Sequence, residues 1–231
     1  MRKKLTLLFL ISALPFVANA QWKIGLTGGA TYNVLTRDNH YMVDWHYESA
    51  GGWTSGLFGQ YNFNKWFGLR SEVNWTMKSY RQYRTGFLKE TNYKTNNHYL
   101  QIPLMLSFSF GGEKVRGFLN IGAYGGYWVS SINSGSYSRF RIELDKANLS
   151  LPTDVISGSW ENDFHKERDN RIDYGMLGGF GVDWRVSQLF SVLAEARCYY
   201  STSSFQKDYM KIKDPRYNTT FAIQIGICYH F

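Results

Sequence analysis

The sequence predicts an all-β chain: an eight-stranded antiparallel up-and-down transmembrane β-barrel over residues 21–231, behind an export segment over residues 1–20. Three observations carry this. Apolar and polar residues alternate with a period of two in segment after segment from Trp22 to Phe231. The connections between those segments alternate between short and long. No second apolar run follows the N-terminal one, so the chain holds no candidate transmembrane helix.

The N-terminus has the three parts of a cleaved signal peptide. Arg2, Lys3 and Lys4 form a basic region, Leu5 to Val17 an apolar one, and Ala18-Asn19-Ala20 a small-x-small cleavage site. The apolar run is too short to span a bilayer, which needs about 20 apolar residues. The mature chain is expected to begin at Gln21, and its roughly 210 residues fit one domain.

The last segment states the strand pattern most clearly. Phe221, Ile223, Ile225, Ile227, Tyr229 and Phe231 alternate with Ala222, Gln224, Gly226, Cys228 and His230. One face is apolar and aromatic, the other small or polar; a helix would scatter both sets around its circumference. The same alternation runs through residues 22–32, 53–63, 67–77, 99–110, 115–129, 172–186 and 190–200. Each is at or a little above the about 9–11 residues that a tilted strand needs to cross the hydrocarbon. Only a helix or a closed barrel satisfies every backbone group in lipid. An exported chain with greasy-faced strands and no helix therefore reads as a barrel of the Gram-negative outer membrane.

Asn64-Lys65-Trp66, Gly111-Gly112-Glu113-Lys114 and Ser187-Gln188 are the short connections, and residues 34–52, 79–98, 130–171 and 201–218 the long ones. Outer-membrane barrels have short periplasmic turns and long extracellular loops, which puts both termini on the periplasmic side. Two aromatic belts fit that orientation: Trp22, Phe63, Trp66, Phe67, Phe110, Trp184, Tyr229 and Phe231 at the periplasmic interface, and Tyr32, Trp53, Trp75, Tyr127, Tyr174 and Tyr200 at the outer one. A soluble sandwich needs neither regular loop alternation nor two belts.

The formal charge is +8, and loss of Arg2, Lys3 and Lys4 leaves +5. There is no basic stripe or nucleic-acid motif, so anionic headgroups and lipopolysaccharide are the expected counterparts rather than nucleic acid. Cys198 and Cys228 fall on opposite faces of adjacent strands and are expected to be free thiols. No cofactor and no metal-ligand spacing is found.

The inward face carries Lys23, Arg70, Glu72, Asn74, Arg116, Asn120, Asp183, Arg185, Glu195 and Arg197. An eight-stranded barrel is just wide enough to be filled by side chains. Charges in that space must be paired, so a plugging ion-pair network is favoured over a gated ion path. Glu72 and Glu195 each have an arginine beside them, which keeps a carboxylate charged and unfit as a general acid. Gly178-Gly179-Phe180-Gly181 resembles a phosphate-binding turn, but no helix follows it. With Gly25, Gly29, Gly122, Gly126 and Gly175, these glycines are expected to relieve crowding.

His40, Asp44, His46, His98 and His165 lie on or beside the outer loops with no fixed partner, which is weak support for catalysis. Arg81, Arg84, Lys89 and Lys94 in the second loop, and Lys207, Lys211, Lys213 and Arg216 in the fourth, are candidate contacts to lipopolysaccharide phosphates. In the third loop, residues 137–144 alternate like a strand beyond the membrane segment. They are expected to prolong the wall or form a hairpin.

"KIGLTGGATYNVL", "GLRSEVNWTMKSY", "YLQIPLMLSFSF" and the closing "FAIQIGICYHF" give the mature chain a resemblance to the PorT-like outer-membrane β-barrel proteins. That resemblance implies the barrel fold, with the terminal aromatic Phe231 read by the outer-membrane assembly machinery. It also implies an alternative role as accessory subunit of a protein-secretion (type IX-like) machine. The leading expectation is a structural or interaction barrel, not an enzyme, whose loops bind an envelope protein partner or lipopolysaccharide.

Overall fold

The computed structural model describes residues 21–37, 44–140, 143–144, 149–150, 153–207 and 216–231. The export segment 1–20, His40, Lys211 and Lys213 lie outside them. In chain order the strands are β1 (Gln21–Arg37), β2 (Trp45–Asn62), β3 (Phe67–Arg84), β4 (Asn92–Gly111), β5 (Val115–Phe140), β6 (Glu143–Leu144), β7 (Leu149–Ser150), β8 (Thr153–Glu161), β9 (Ile172–Arg185), β10 (Phe190–Ser201) and β11 (Arg216–His230). Strands β1–β5 and β9–β11 form a ring, ordered β4-β3-β2-β1-β11-β10-β9-β5 and closed by β4 on β5. Every pairing in the ring is antiparallel, with Leu26 of β1 opposite Leu57 on one side and Ile227 on the other.

Period-two alternation becomes a two-faced wall. Outward residues are exposed and apolar around the ring; Ile223 is 70% exposed and Phe180 69%. An apolar band of this extent would be a severe liability in water and is the surface a barrel presents to lipid. Near the termini an aromatic ladder rims the band: Trp22 lies 4.9 Å from Tyr61, Tyr61 5.1 Å from Phe63, Phe63 5.5 Å from Phe67, and Phe67 5.4 Å from Phe108. Tyr32, Trp53, Trp75, Tyr127, Tyr174 and Tyr200 ring the other edge, all exposed.

The turns at the terminal end are short because side chains close them. Asn64 Oδ1 accepts from the N–H of Trp66 at 3.0 Å and of Phe67 at 2.8 Å. Ser187 Oγ does the same for Leu189 at 3.3 Å and Phe190 at 3.0 Å. Gly111 takes a φ of 114°, a conformation L side chains rarely adopt, and Gly112 N–H then reaches the Val115 carbonyl at 3.1 Å.

At the opposite end the connections are long, and much of their described length continues the strands: β2 begins at Trp45, β3 runs to Arg84, β4 begins at Asn92 and β5 runs to Phe140. Above the lipid both faces of the wall meet polar surroundings, so hydrophobic alternation ends while backbone pairing continues. Residues 137–140 pair with β8 in a protruding hairpin, Tyr137 opposite Ile156.

Two bulges set the phase of this extension. Between the pairs Ala50↔Ser79 and Thr54↔Thr76, three residues of β2 face two of β3. In β5, Trp128 pairs with Tyr99 and Ser130 with His98, leaving Val129 extra. Arg171 donates to the Trp128 carbonyl at 2.9 Å and the Val129 carbonyl at 2.8 Å, satisfying acceptors that the bulge disturbs. Beyond the bulges, Trp45 and Tyr47 on β2 and Ser131 and Asn133 on β5 turn inward. The β3–β4 ladder skips between Ser71↔Leu104 and Asn74↔Gln101, opposite Pro103, which has no N–H to contribute.

Candidate functional site

The lumen is filled in tiers. At its centre Arg197 makes two contacts to Glu72, from Nη1 and Nη2 at 2.7 and 2.9 Å, and two to Glu195, from Nε and the same Nη2 at 3.0 and 2.7 Å, and donates to the Tyr199 hydroxyl at 2.8 Å. Arg70 lies 2.7 Å from Glu72 and 3.6 Å from Glu195, with its guanidinium 4.0 Å above the Phe58 ring. Asn74 donates to Glu72 at 2.7 Å and Asn120 to Glu195 at 2.9 Å. The four charged side chains are fully enclosed and their charges sum to zero. They come from β3 and β10, on opposite arcs of the ring. Inward glycines make the room: a Cβ on Gly179 would sit 2.7 Å from Glu195 Oε1.

Above this tier lies a pair absent from the sequence-predicted lumen set. Lys78 donates to Asp173 at 2.7 Å, and both are buried. Ser201 and Ser203 donate to the other Asp173 oxygen at 2.6 and 3.1 Å, while the ammonium of Lys78 sits 4.8 Å from the Tyr99 ring centre. Lys78 follows Asn74 and Thr76 on the inward register of β3, and Asp173 falls between the outward Ile172 and Tyr174.

Below the centre, near the termini, Lys23 pairs with Asp183, and Ser191 bonds His230 Nε2 at 2.8 Å. Arg116 and Arg185 are not part of the central network. Arg116 donates to the Lys65 carbonyl and Arg185 lies 3.4 Å from His230 Nδ1; both are half-buried at the terminal rim. Each lies at the terminal end of its strand, Arg116 second in β5 and Arg185 last in β9, so the long side chains reach the rim rather than the centre.

The loop cations do not gather into one patch. Arg81 and Lys94 are cross-strand neighbours with Glu48 on the other side of Arg81, and Lys94 donates to the Gly51 carbonyl at 3.0 Å. Arg84 is three residues from Arg81 and therefore on the inner face, 3.7 Å from Asp44 and 5.1 Å from the Trp45 ring centre. Lys89 and Lys207 are exposed, and Arg216 sits 5.7 Å from the Phe205 ring centre. His46 stacks on Tyr83 at 5.1 Å, His98 lies against Trp75 at 5.9 Å, and His165 is exposed. Among the described residues no group of three or more His, Cys, Asp or Glu could hold a metal. Cys198 and Cys228 are free thiols.

Over the Lys78 tier, Tyr99 and Trp128 stack at 5.9 Å with 10° between their planes, and Phe164 and Phe205 pack edge-on to Trp128 at 4.8 and 5.7 Å. This aromatic layer is the floor of a cavity of about 350 Å³ that opens at the end opposite the termini. Trp45, Tyr47, Tyr80 and Tyr93 line the cavity along β2, β3 and β4 together with Gln82, and Ser131, Asn133, Asn162 and Gln206 are among the remaining lining residues. Burial, with the neighbouring Tyr80 and Tyr47 hydroxyls, pushes the Tyr93 phenol up to about 12, so it stays a neutral donor. The cavity escaped sequence reasoning because its walls come from segments brought together only by the bulged register.

Among solved structures, the chain is similar to the outer membrane protein OprG from Pseudomonas aeruginosa, at 11% identity over 92% of this chain and 97% of that one, with a TM-score of 0.49. It is similar to Neisserial surface protein A at 14% identity, 92% and 99% coverage and a TM-score of 0.47. For Ail, the attachment invasion locus protein of Yersinia pestis, the values are 14%, 92%, 99% and 0.46. A comparison with curated proteins found no match. Residues 17–207 match the model of the outer membrane protein beta-barrel domain family. With a closed ring, a lipid-facing apolar band and that match over most of its length, the chain belongs to this family and is a small β-barrel of the Gram-negative outer membrane.

Proposed function

We propose that the mature chain, from Gln21 onward, is a structural and interaction barrel with no open pore. It works through the end opposite its termini, which faces outward and binds a surface partner or lipopolysaccharide. One observation carries this: the Arg70–Glu72–Glu195–Arg197 cluster blocks the middle of the lumen, while the wall continues past the apolar band at that end alone. The lumen charges are structural in this reading, the periplasmic ends lie at Trp22 and Phe231, and Phe231 is the aromatic read by the assembly machinery. Arg81, Lys89, Lys94 and Lys207 supply outer cations for lipopolysaccharide phosphates.

The hairpin of β5 and β8 is the part to test. Replacing residues 138–155 by Asn-Gly closes the strands after the Tyr137↔Ile156 pair with a turn that hairpins favour. The variant should insert and keep its heat-modifiable gel migration, but lose adhesion of barrel-bearing cells to host or bacterial surfaces and binding to lipopolysaccharide vesicles. Unchanged binding in both assays would refute the reading.

A protein partner has one feature in its favour. β8 pairs with β5 on one side only, so its other edge has no strand beside it among the described residues. The resemblance to PorT-like barrels makes that partner a component of a type IX-like secretion machine. Stoichiometric co-purification of such components with the wild type, lost on replacing residues 138–155, tests it.

A further inference from the structure

We infer that the cavity at the mouth of the barrel is a saccharide-binding site, built to take a neutral pyranose ring from a surface glycan. This deepens the reading above and rests on that end being the working one. At about 350 Å³ the cavity falls in the range of about 300–1,000 Å³ typical of small-molecule sites.

Its lining is of two chemical kinds. In the first, Trp45 and Tyr47, successive inward residues of β2, hold their rings 24° from parallel at 6.5 Å, and Tyr93 meets Trp45 edge-on at 6.5 Å. Such a wall suits the C–H face of a pyranose, and tyrosine and tryptophan add a polar tip to an apolar body. The second kind is planar amides. Asn133 accepts from Thr95 at 2.7 Å and donates to Asn162 at 2.7 Å, and Asn162 donates to Ser131 at 3.0 Å. An amide offers donors and an acceptor in one plane, which matches neighbouring hydroxyls on a sugar ring.

Two further features select this ligand class. Gln206 is 6% exposed and lines the cavity, yet its Oε1 has no hydrogen-bond partner. A buried acceptor of that kind calls for a donor from whatever fills the space. The charge is also balanced. Arg168 holds both oxygens of Asp169 at 2.9 Å, and Asp163 and Arg216 complete the charged lining. An anionic ligand would find no net attraction here, unlike on the outer wall with Arg81 and Lys94. The Gln101 and Gln224 amides also lack protein partners, but they are enclosed below the aromatic floor, whereas Gln206 lines a cavity that opens to the outside beside aromatic residues.

The test uses the mature full-length chain in detergent micelles with neutral mono- to tetrasaccharides of glucose, mannose, galactose and N-acetylglucosamine, read by tryptophan fluorescence and calorimetry. At least one series should bind saturably and hold its affinity as salt is raised, because no ion pair is involved. Tyr47→Ala and Gln206→Leu should each weaken binding about tenfold or more, with heat-modifiable migration unchanged. Glu113→Ala, exposed in a short turn at the terminal end, should have no effect. Competition by the delipidated polysaccharide of lipopolysaccharide, but not by lipid A, would place the sugar in that glycan; absence of competition would point to a free or foreign saccharide, and both support the site. The inference is overturned if no sugar binds, if only lipid A or a peptide competes, or if the two cavity variants bind as the wild type does. If sugars fail but replacing residues 138–155 still abolishes surface binding, the proposed function stands and this inference alone falls.

Discussion

Replacing Arg197 by leucine tests whether the centre of the barrel behaves as a dry, coupled ionic unit. In the wild type two arginines face two glutamates, and Arg197 supplies four of the close contacts, two to each carboxylate. The variant leaves Glu72 and Glu195 with Arg70 alone, which is 2.7 Å from the first but 3.6 Å from the second. The enclosed charge becomes −1. Removing one partner of a buried pair costs about 3–5 kcal/mol, most of it from the charge left behind. A second substitution, Glu195→Leu, removes that orphan and leaves Arg70 on Glu72. Arg197→Leu with Glu195→Leu should therefore recover most of the loss, although Asn120 gives up its bond to Glu195. The measurement is urea unfolding in micelles, followed by gel mobility and tryptophan fluorescence, for the wild type, both single variants and the double. Coupling of about 2 kcal/mol or more is expected for residues sharing one network. The reasoning is refuted if Arg197→Leu costs less than about 1 kcal/mol, or if the double variant equals the sum of the singles. Lumen water is the agent that would do this, since the Gln101 and Gln224 amides beside the cluster have no protein partner.

Planar-bilayer recordings of the wild type should show little or no steady conductance; a large, stable channel would contradict a lumen closed by paired charges. Gly179→Ala, whose Cβ would meet Glu195 at 2.7 Å, should lower the free energy of unfolding in urea by about 1–3 kcal/mol, whereas Gly178→Ala, with nothing within 4 Å, should not. Protease added to intact cells should cut within residues 138–155 and spare the turns at Asn64 and Ser187; cleavage only after the outer membrane is opened would invert the orientation.

Eight crossings and their inward and outward faces were legible because lipid imposes a rule on every second residue. Phe221 to Phe231 needs no neighbour to be read. That rule ends where the lipid ends. β5 continues eleven residues past Val129 and β2 begins eight residues before Trp53, yet the outward residues there are Glu48, Arg81 or Ser134, which a periodicity argument reads as loop. The same boundary hid Lys78 and Asp173, each at the very end of its apolar alternation. Arg116 and Arg185 illustrate the converse. Alternation assigns them to the inner face correctly, but depth along the strand decides whether a long side chain joins a network or leaves the barrel. The split of Arg81 from Arg84 followed from parity alone once their segment was a strand. The mouth cavity did not follow from any local signal, since it depends on two bulges that reverse the facing of Tyr47 and Asn133.

Function has few places to reside in a barrel this narrow. The outward face of the band must match lipid, and a specific contact there would have to interrupt a surface that is apolar but for small residues such as Ser55 and Ser71. The acidic groups of the inner face below Tyr99 and Trp128 are committed: Asp173 to Lys78, Glu72 and Glu195 to Arg70 and Arg197, and Asp183 to Lys23. Charges paired at that closeness cannot be lent to a ligand without exposing a partner, at the cost worked out for Arg197. The aromatic floor then separates this committed interior from the mouth. Above it the same period-two wall continues, but tyrosine, tryptophan and amides join the ion pairs Arg84–Asp44 and Arg168–Asp169 there, and Gln206 keeps an unpartnered acceptor. The change in inward chemistry at Trp128, more than any single residue, divides the ion-paired interior, proposed to close the barrel, from the mouth, proposed to carry recognition.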